Sequence, residues 1–337
     1  MKLPFAKLPF AKLAIAASLS FSLIGAAAAD TTLRVSHQFP GGKGDVRDEM
    51  VQLMAREVKA ADVGLELQIY PGQSLFKAKE QWGALVRGRL DMTSLPLDYA
   101  SGRHPEFSAT LMPGLVRSHE RAQRLNDSKF MDMIKTVIND AGVRVLADAW
   151  LAGGFASNAQ CVTSPDTVQG QSMRAAGPAF DEMLAVAGAS IASMPSSEIY
   201  TAMQTGVLDG ANTSSGSFVS YRIYEQVTCL TAPGENALWF MYEPILISER
   251  SWSKLNEVQQ SALMAAAEKA ETYFAKEAAG LDQKMADVFA ENGVEVVSMS
   301  PEDYQAWLDI AKKSSYKTFA ENVPNGQALI DAALAVE

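Results

Sequence analysis

Hydrophobic positions along the chain change period repeatedly, falling on every second residue over short stretches and on every third or fourth over longer ones. Strands and amphipathic helices that alternate in this way make an α/β fold. Residues 33–38 alternate as an edge-exposed strand does, so His37, Gln38 and Phe39 end a strand before the loop FPGGKGDV. Helical spacing begins near Asp48 with Met50, Val51, Leu53, Met54 and Val58, and LELQIYP at 65–71 returns to strand. Gly72-Gln73-Ser74 breaks the chain, a helix passes Trp82 and Leu85 to Gly88, and a third strand at 91–96 leads into Leu97-Asp98-Tyr99 at the same cleft edge. Irregular and then helical sequence follows to 142, with Arg117, Arg121 and Arg124 read as a solvated face.

VRVLADAW at 143–150 predicts one long strand running into Leu151-Ala152-Gly153-Gly154, where the chain first crosses to a second domain. A strand ending in Arg174 meets Gly177-Pro178, the signature of a helix start. A short helix over 181–187 closes at Gly188, residues 189–194 form a strand, Pro195-Ser196-Ser197 opens a helix ending near Gly206, and a last strand carries Asn212. ALWFMYEPILIS at 237–248 reads as a single buried strand crossing back. An alanine-rich helix over 257–292, weakly interrupted at Gly280, is long enough to lie across both domains. VEVVSMS at 294–300 and an amphipathic helix around Tyr304, Trp307 and Ile310 follow.

In open α/β sheets, ligands settle beyond the carboxyl ends of the strands, where Arg174 and Asn212 both fall. An arginine there offers a fork of donors to a carboxylate, phosphate or sulfonate, and asparagine supplies a donor and an acceptor beside it. The plainer alternative is a structural ion pair for Arg174 and a turn cap for Asn212.

The run 170–175, the segment MPSSEIYTAMQTGVLDGANTSS and the earlier YPGQSLFKAKEQWGALVRGRLDM carry a resemblance. With Arg174, Pro195, Glu198, Tyr200, Ala202, Gln204, Gly206, Asp209, Gly210 and Asn212 in place, the chain resembles the solute-binding subunit of tripartite ATP-independent periplasmic (TRAP) transporters, the DctP family. That resemblance, weaker but continuous from about Leu33 onward, implies a two-lobed periplasmic-binding-protein-like fold with a central cleft that closes on ligand, several crossings between lobes and a long supporting helix. The expected layout is lobe I over 30–150 with a return strand near 237–250, lobe II over 151–236 with a contribution from about 290–337, and a spanning helix over 251–292. It also implies that Arg174 holds a ligand carboxylate with Asn212 close by, and that the small and large permease subunits in the membrane are partners. Members that bind large acidic sugars have a further arginine just after the first crossing; here that stretch is Gly153-Gly154-Phe155, leaving one positive anchor.

Around that anchor, Gln38 and Phe39 sit at a strand end, and Tyr99, Phe180, Trp239 and Tyr242 are further candidates, with Trp150 and Phe218 preferred as wall residues. Asp98, if it faces the cleft, offsets Arg174 and makes a zwitterion or small amine the second choice after a carboxylate or sulfonate.

Composition narrows the alternatives. Lys2, Lys7 and Lys12 precede an apolar run at 13–24 and the small residues Ala26 to Ala29, which predicts a signal peptide over 1–29 cleaved after Ala29 and a periplasmic mature chain. Without those three lysines, 26 basic residues face 39 acidic ones, a net charge of −13 that argues against nucleic acid as a partner. Cys161 and Cys229 either pair after export or remain buried thiols. His37, His104 and His119 lack metal-ligand spacing, and no nucleophile elbow, Walker loop or dinucleotide fingerprint is present. No cofactor or metal is expected. A transport receptor is therefore favoured over an exported α/β hydrolase or isomerase with an unrecognised site.

Overall fold

The computed structural model describes Met1 and residues 31–337 apart from Lys43. The expected signal peptide and its cleavage point lie outside the described residues. From Thr31 the chain builds strand β1 (Thr31–Ser36), helix α1 (Val46–Ala60), β2 (Leu65–Tyr70), α2 (Gln81–Val86), β3 (Met92–Ser94), α3 (His119–Leu125), α4 (Lys129–Asp140) and β4 (Val143–Ala147). The second stretch holds β5 (Trp150–Ser157), β6 (Ser172–Ala175), α5 (Pro178–Val186), β7 (Ser190–Ser193), α6 (Ile199–Gln204), β8 (Gly210–Ser214), α7 (Ser215–Ser220) and β9 (Cys229–Ala232). Then come β10 (Trp239–Tyr242), β11 (Ile245–Ser248), α8 (Glu249–Trp252), α9 (Glu257–Glu291), β12 (Glu295–Ser298), α10 (Pro301–Ala311), α11 (Lys317–Asn322) and α12 (Gly326–Leu334).

Two sheets organise two lobes. The first runs β2-β1-β3-β11-β4, and the second β12-β9-β5-β8-β6-β7 with β10 also paired to β5. Strand β1 is therefore interior, not the edge its alternation suggested: β2 and β3 flank it in parallel, and its polar Arg34 is taken up by Asp91 at 2.9 Å. Leu33, Val35, Met50 and Met54 pack with Leu263 and Phe274 of α9 on one face of the first sheet, and Trp82, Phe130, Ile134 and Leu329 pack on the other. In the second lobe Met173, Phe180 and Trp307 fill one side, and Ile199, Phe218, Leu230 and Phe289 the other.

Two runs that read as single strands each divide between the sheets. VRVLADAW ends as β4 at Ala147 in the first sheet, and the chain re-enters as β5 in the second, with Asp148 at the break bound to Lys135 at 2.7 Å. ALWFMYEPILIS splits at Glu243-Pro244 into β10, which pairs β5, and β11, which pairs β3 and β4. Proline has no N–H for a ladder, so the break falls where the backbone must leave one sheet for the other. Hydrophobicity alone cannot mark such a break, because both halves are buried.

Helix α9 opens on a reciprocal capping box between Asn256 and Gln259 and runs 35 residues without interruption at Gly280, about 50 Å of axis. Its buried residues, from Leu263 through Ala270 and Phe274 to Met285 and Phe289, keep one continuous stripe that packs first on the first lobe and then on the second. The C-terminal segment departs from expectation. β12 joins β9, and α10 packs on α5, but α11 and α12 return to the first lobe, where Leu329 and Ile330 enter its core. Arg121, expected on a solvated face, is buried and donates to the carbonyls of Leu115 (3.2 Å), Ala333 (2.8 Å) and Val336, so it anchors the end of α12. Cys161 and Cys229 form a disulfide, with Cα atoms 5.2 Å apart.

Candidate functional site

Parallel strands β7, β6 and β8 end together at the edge of the second sheet that faces the first lobe. Arg174, the third residue of β6, is 1% exposed, and its side chain lies across those ends. Nε donates to the Met194 carbonyl (3.0 Å), Nη1 to the Asn212 carbonyl (2.6 Å) and Nη2 to the Tyr99 hydroxyl (3.3 Å). Three of the five guanidinium N–H groups are thus used within the protein, and two remain, one on each terminal nitrogen. Among the described residues Arg174 forms no ion pair. A buried cation held by neutral oxygens alone leaves its charge uncompensated.

Other unsatisfied groups gather at the same place. Asn212 is fully buried, and neither its amide nitrogen nor its amide oxygen has a partner. The buried indole N–H of Trp239 is also unpaired, but its ring lies with Gly153, Phe155 and Met299 within the second lobe. From the first lobe, Gln38 brings an unpaired side-chain oxygen, its amide nitrogen lying 3.5 Å from the Tyr99 hydroxyl. Native proteins leave few buried polar groups unpaired, and here those of Asn212 and Gln38 belong to residues that bond Arg174 or Tyr99.

Asp98, beside Tyr99, presses against the second lobe: a Cβ added to Gly177 would stand 1.7 Å from its Oδ2. Its Oδ1 is buried without a partner. Burial, reinforced by the charge of Asp181, pushes the Asp98 carboxyl up to about 8 against the pull of Ser108, Arg174 and Lys79. Asp181 is itself raised by burial. Asp98 does face the cleft, but as a neutral acid near pH 7 it leaves the charge of Arg174 standing.

A second buried arginine, unsuspected from the sequence, joins the lobes nearby. Arg47, at the start of α1, sits over the ring of Phe39 at 3.9 Å and pairs with Asp45 at 2.7 Å and Glu243 at 3.6 Å. It donates across the interface to the hydroxyls of Ser214 (3.1 Å) and Ser217 (2.9 Å). Burial alone would raise the Asp45 carboxyl, but Arg47 prevails and holds it below the usual range. Glu243, at the β10–β11 crossing, is pushed up to about 7 by burial, with Arg47 as the main opposing influence. Tyr221 of the second lobe donates to the Gln38 carbonyl at 2.9 Å, and Gln73 of the first donates to Ser197 at 3.0 Å. The sequence signal for Arg47 was only its place after the N-cap Asp45, which does not distinguish a solvated first turn from an inter-lobe tie.

Of the residues expected at the site, Arg174, Asn212 and Gln38 are linked through the Asn212 carbonyl and the Tyr99 hydroxyl, with Asp98 beside Tyr99, whereas Trp239 packs in the second lobe's core with Phe155 and Trp307. Phe39 lies under Arg47 instead. Trp150 is corrected: its indole N–H donates to Asn126 at 2.8 Å, its ring packs on Tyr242, and it lines a groove of about 770 Å³ against α9 that Arg174 does not border. Phe218 is corrected too, since its ring meets the edge of Phe289 at 5.8 Å inside the second lobe's core. Trp150, the first residue of β5, turns to the side that α9 covers, and Phe218 lies on α7, which packs on α9.

Bacterial extracellular solute-binding protein family 7, DctP, matches residues 41–322. The chain belongs to this family. A solute-binding protein of Albidiferax ferrireducens is 38% identical over 308 residues, covering 90% of either chain. The 2,3-diketo-L-gulonate-binding periplasmic protein of Escherichia coli is 26% identical over 278 residues, covering 81% of this chain and 82% of its own. Among solved structures, a TRAP periplasmic solute-binding protein from Rhodoferax ferrireducens with bound malonate superposes with a TM-score of 0.87 at 37% identity, covering 90% of this DctP-family chain and 98% of its own. A TRAP solute-binding protein from Sulfurospirillum deleyianum with bound succinate, 22% identical, shares the two-lobed fold with a TM-score of 0.83. As a DctP-family protein, the chain is a TRAP-type solute receptor.

Proposed function

We propose that this receptor captures a small organic carboxylate on the extracytoplasmic side of the membrane and passes it to the small and large subunits of a TRAP permease. The observation that carries the ligand class is the buried Arg174 guanidinium with no ion pair and one free N–H on each terminal nitrogen. A carboxylate accepts two parallel N–H bonds and supplies the missing charge in one step. The unpaired amide of Asn212 offers further bonds to the same guest. Malonate in the 37%-identical structure is of this class. Family membership and the expected signal peptide support permease partnership and residence in the periplasm.

Calorimetry and thermal shift with malonate, succinate and D-glucuronate test the reading. We expect saturable stabilisation by at least one acid, growing as RT ln(1 + [L]/Kd), and a loss of affinity of at least about a hundredfold in Arg174→Lys, which keeps the charge but not the fork. Binding unchanged in that variant would remove Arg174 from the site, and recovery of the acid as a converted product would favour an enzyme.

A further inference from the structure

All five N–H donors of Arg47 are used, and they divide between the lobes. Nε and one hydrogen of Nη2 go to Asp45 of the first lobe, at 2.9 and 2.7 Å. The other three cross the interface: Nη1 donates to the hydroxyls of Ser214 (3.1 Å) and Ser217 (2.9 Å), and Nη2 reaches that of Ser220 at 3.4 Å. Ser214 is the N-cap of α7 and the other two follow it at three-residue spacing, so one face of one short helix presents all three acceptors. The guanidinium lies between the Phe39 ring, 3.9 Å from its centroid, and the first turn of α7, where a Cβ on Gly216 would stand 3.6 Å from Cζ.

A rotation of one lobe against the other treats these two sets of bonds differently. Asp45 is the N-cap of the helix that carries Arg47 and moves with it, so the charge keeps its counter-ion in either arrangement. The serines move with the second lobe, and water replaces them readily because they are neutral acceptors. The contact also adjoins the site. Ser214 follows Asn212 by two residues on β8, and the Asn212 carbonyl holds Arg174 at 2.6 Å. Tyr221, directly after α7, donates to the Gln38 carbonyl at 2.9 Å, next to the Phe39 on which Arg47 rests.

We infer that Arg47 is a positioning residue for capture, acting on the guest only through the lobes: its bonds to Ser214, Ser217 and Ser220 form a latch that sets how much of the receptor stands in the closed arrangement. Apparent affinity scales with the fraction of protein in the binding-competent state. A weakened latch therefore lowers affinity for every guest by one common factor, whatever the guest's chemistry. Loss of a residue that touches the guest changes affinity unequally among guests. The inference concerns closure and stands apart from the carboxylate reading above.

The test keeps Asp45, Arg47 and the N-cap Ser214 and removes the other two acceptors from the whole protein as Ser217→Ala with Ser220→Ala; alanine favours helix, so α7 is retained. Spin labels attached through Ala60→Cys on α1 and Gln204→Cys on α6, both exposed positions, report the distance between lobes with no acid added. We expect the double variant to shift population from the shorter distance to the longer. By calorimetry its Kd should rise by one common factor, at least about tenfold, for each of malonate, succinate and D-glucuronate that binds. Ser217→Thr, which keeps a hydroxyl, should stay near wild type in both measurements. Unchanged distances or unchanged affinities overturn the inference, as do losses that differ from acid to acid or a threonine variant that behaves as the alanine one does. If none of the three acids binds, the carboxylate reading fails while the distances still decide the latch. If the double variant does not fold, Ser220→Ala alone, at a partly exposed position, carries the same comparison.

Discussion

The Tyr99 hydroxyl of the first lobe stands 3.3 Å from Nη2 of Arg174 and 3.0 Å from the backbone N–H of Ser196, both in the second lobe. One oxygen thus links lobe closure to the posture of the anchoring cation. Tyr99→Phe removes that oxygen and leaves the ring. A hydrogen bond to a charged group contributes about 1.5–3 kcal/mol, so the variant should bind its acid at least about tenfold more weakly. Both bonds are already made without ligand, so its Tm should fall as well. Calorimetry and a melting curve check the pair of outcomes.

Gly177→Ala probes the contact between the lobes. The backbone there is extended, a conformation open to alanine, so the obstacle is the Asp98 carboxylate alone, 1.7 Å from the added Cβ. Affinity should fall at least about tenfold through incomplete closure. Asp98→Ala in the same chain should cost less than the sum of the two single changes, because it removes the obstructing group. Strict additivity would mean that the contact is not what limits closure.

Arg47 predicts a stability effect. Arg47→Met leaves Asp45 and Glu243 buried without their cation, which typically destabilises by about 3–5 kcal/mol. The loss should appear as an earlier denaturant midpoint with ligand absent. Lysine, which cannot keep the fork on Asp45 while reaching Ser214 and Ser217, should restore only part of it.

Glu243 predicts a pH dependence. In the folded protein its carboxyl titrates near 7, above its ordinary value of 4.5. Between those values the native state holds a proton that the unfolded state has released, so stability declines as pH rises from about 4.5 to about 7. Asp98 acts in the same sense up to about 8. Glu243→Gln should therefore flatten part of the decline in Tm between pH 5 and 8. An identical slope in variant and wild type would assign the decline to other groups.

How far the site could be read in advance differs from residue to residue. Arg174 and Asn212 were legible because their signals are local: a strand ending before Gly-Pro, and a strand following a Gly-closed helix, put both at a carboxyl edge whatever the rest of the chain does. Trp150 and Phe218 were misassigned because the side a residue faces is settled by its partners in space, and β5 and α7 both pack against α9. Arg47 and Tyr99 were unreadable as a clasp and a link, since their partners lie more than seventy residues away in sequence.

By itself the sequence determined the alternation of helices and strands, the long helix, the family and the cation at the end of β6, because each depends on periodicity or on turn chemistry within a few residues. Only the tertiary structure decided that two apolar runs divide between sheets, that α11 and α12 return to the first lobe, and that Asp98 is pressed against Gly177 where burial and the charge of Asp181 raise its carboxyl. Burial and long-range charge are properties of neighbours in space, and a linear order of residues does not specify them.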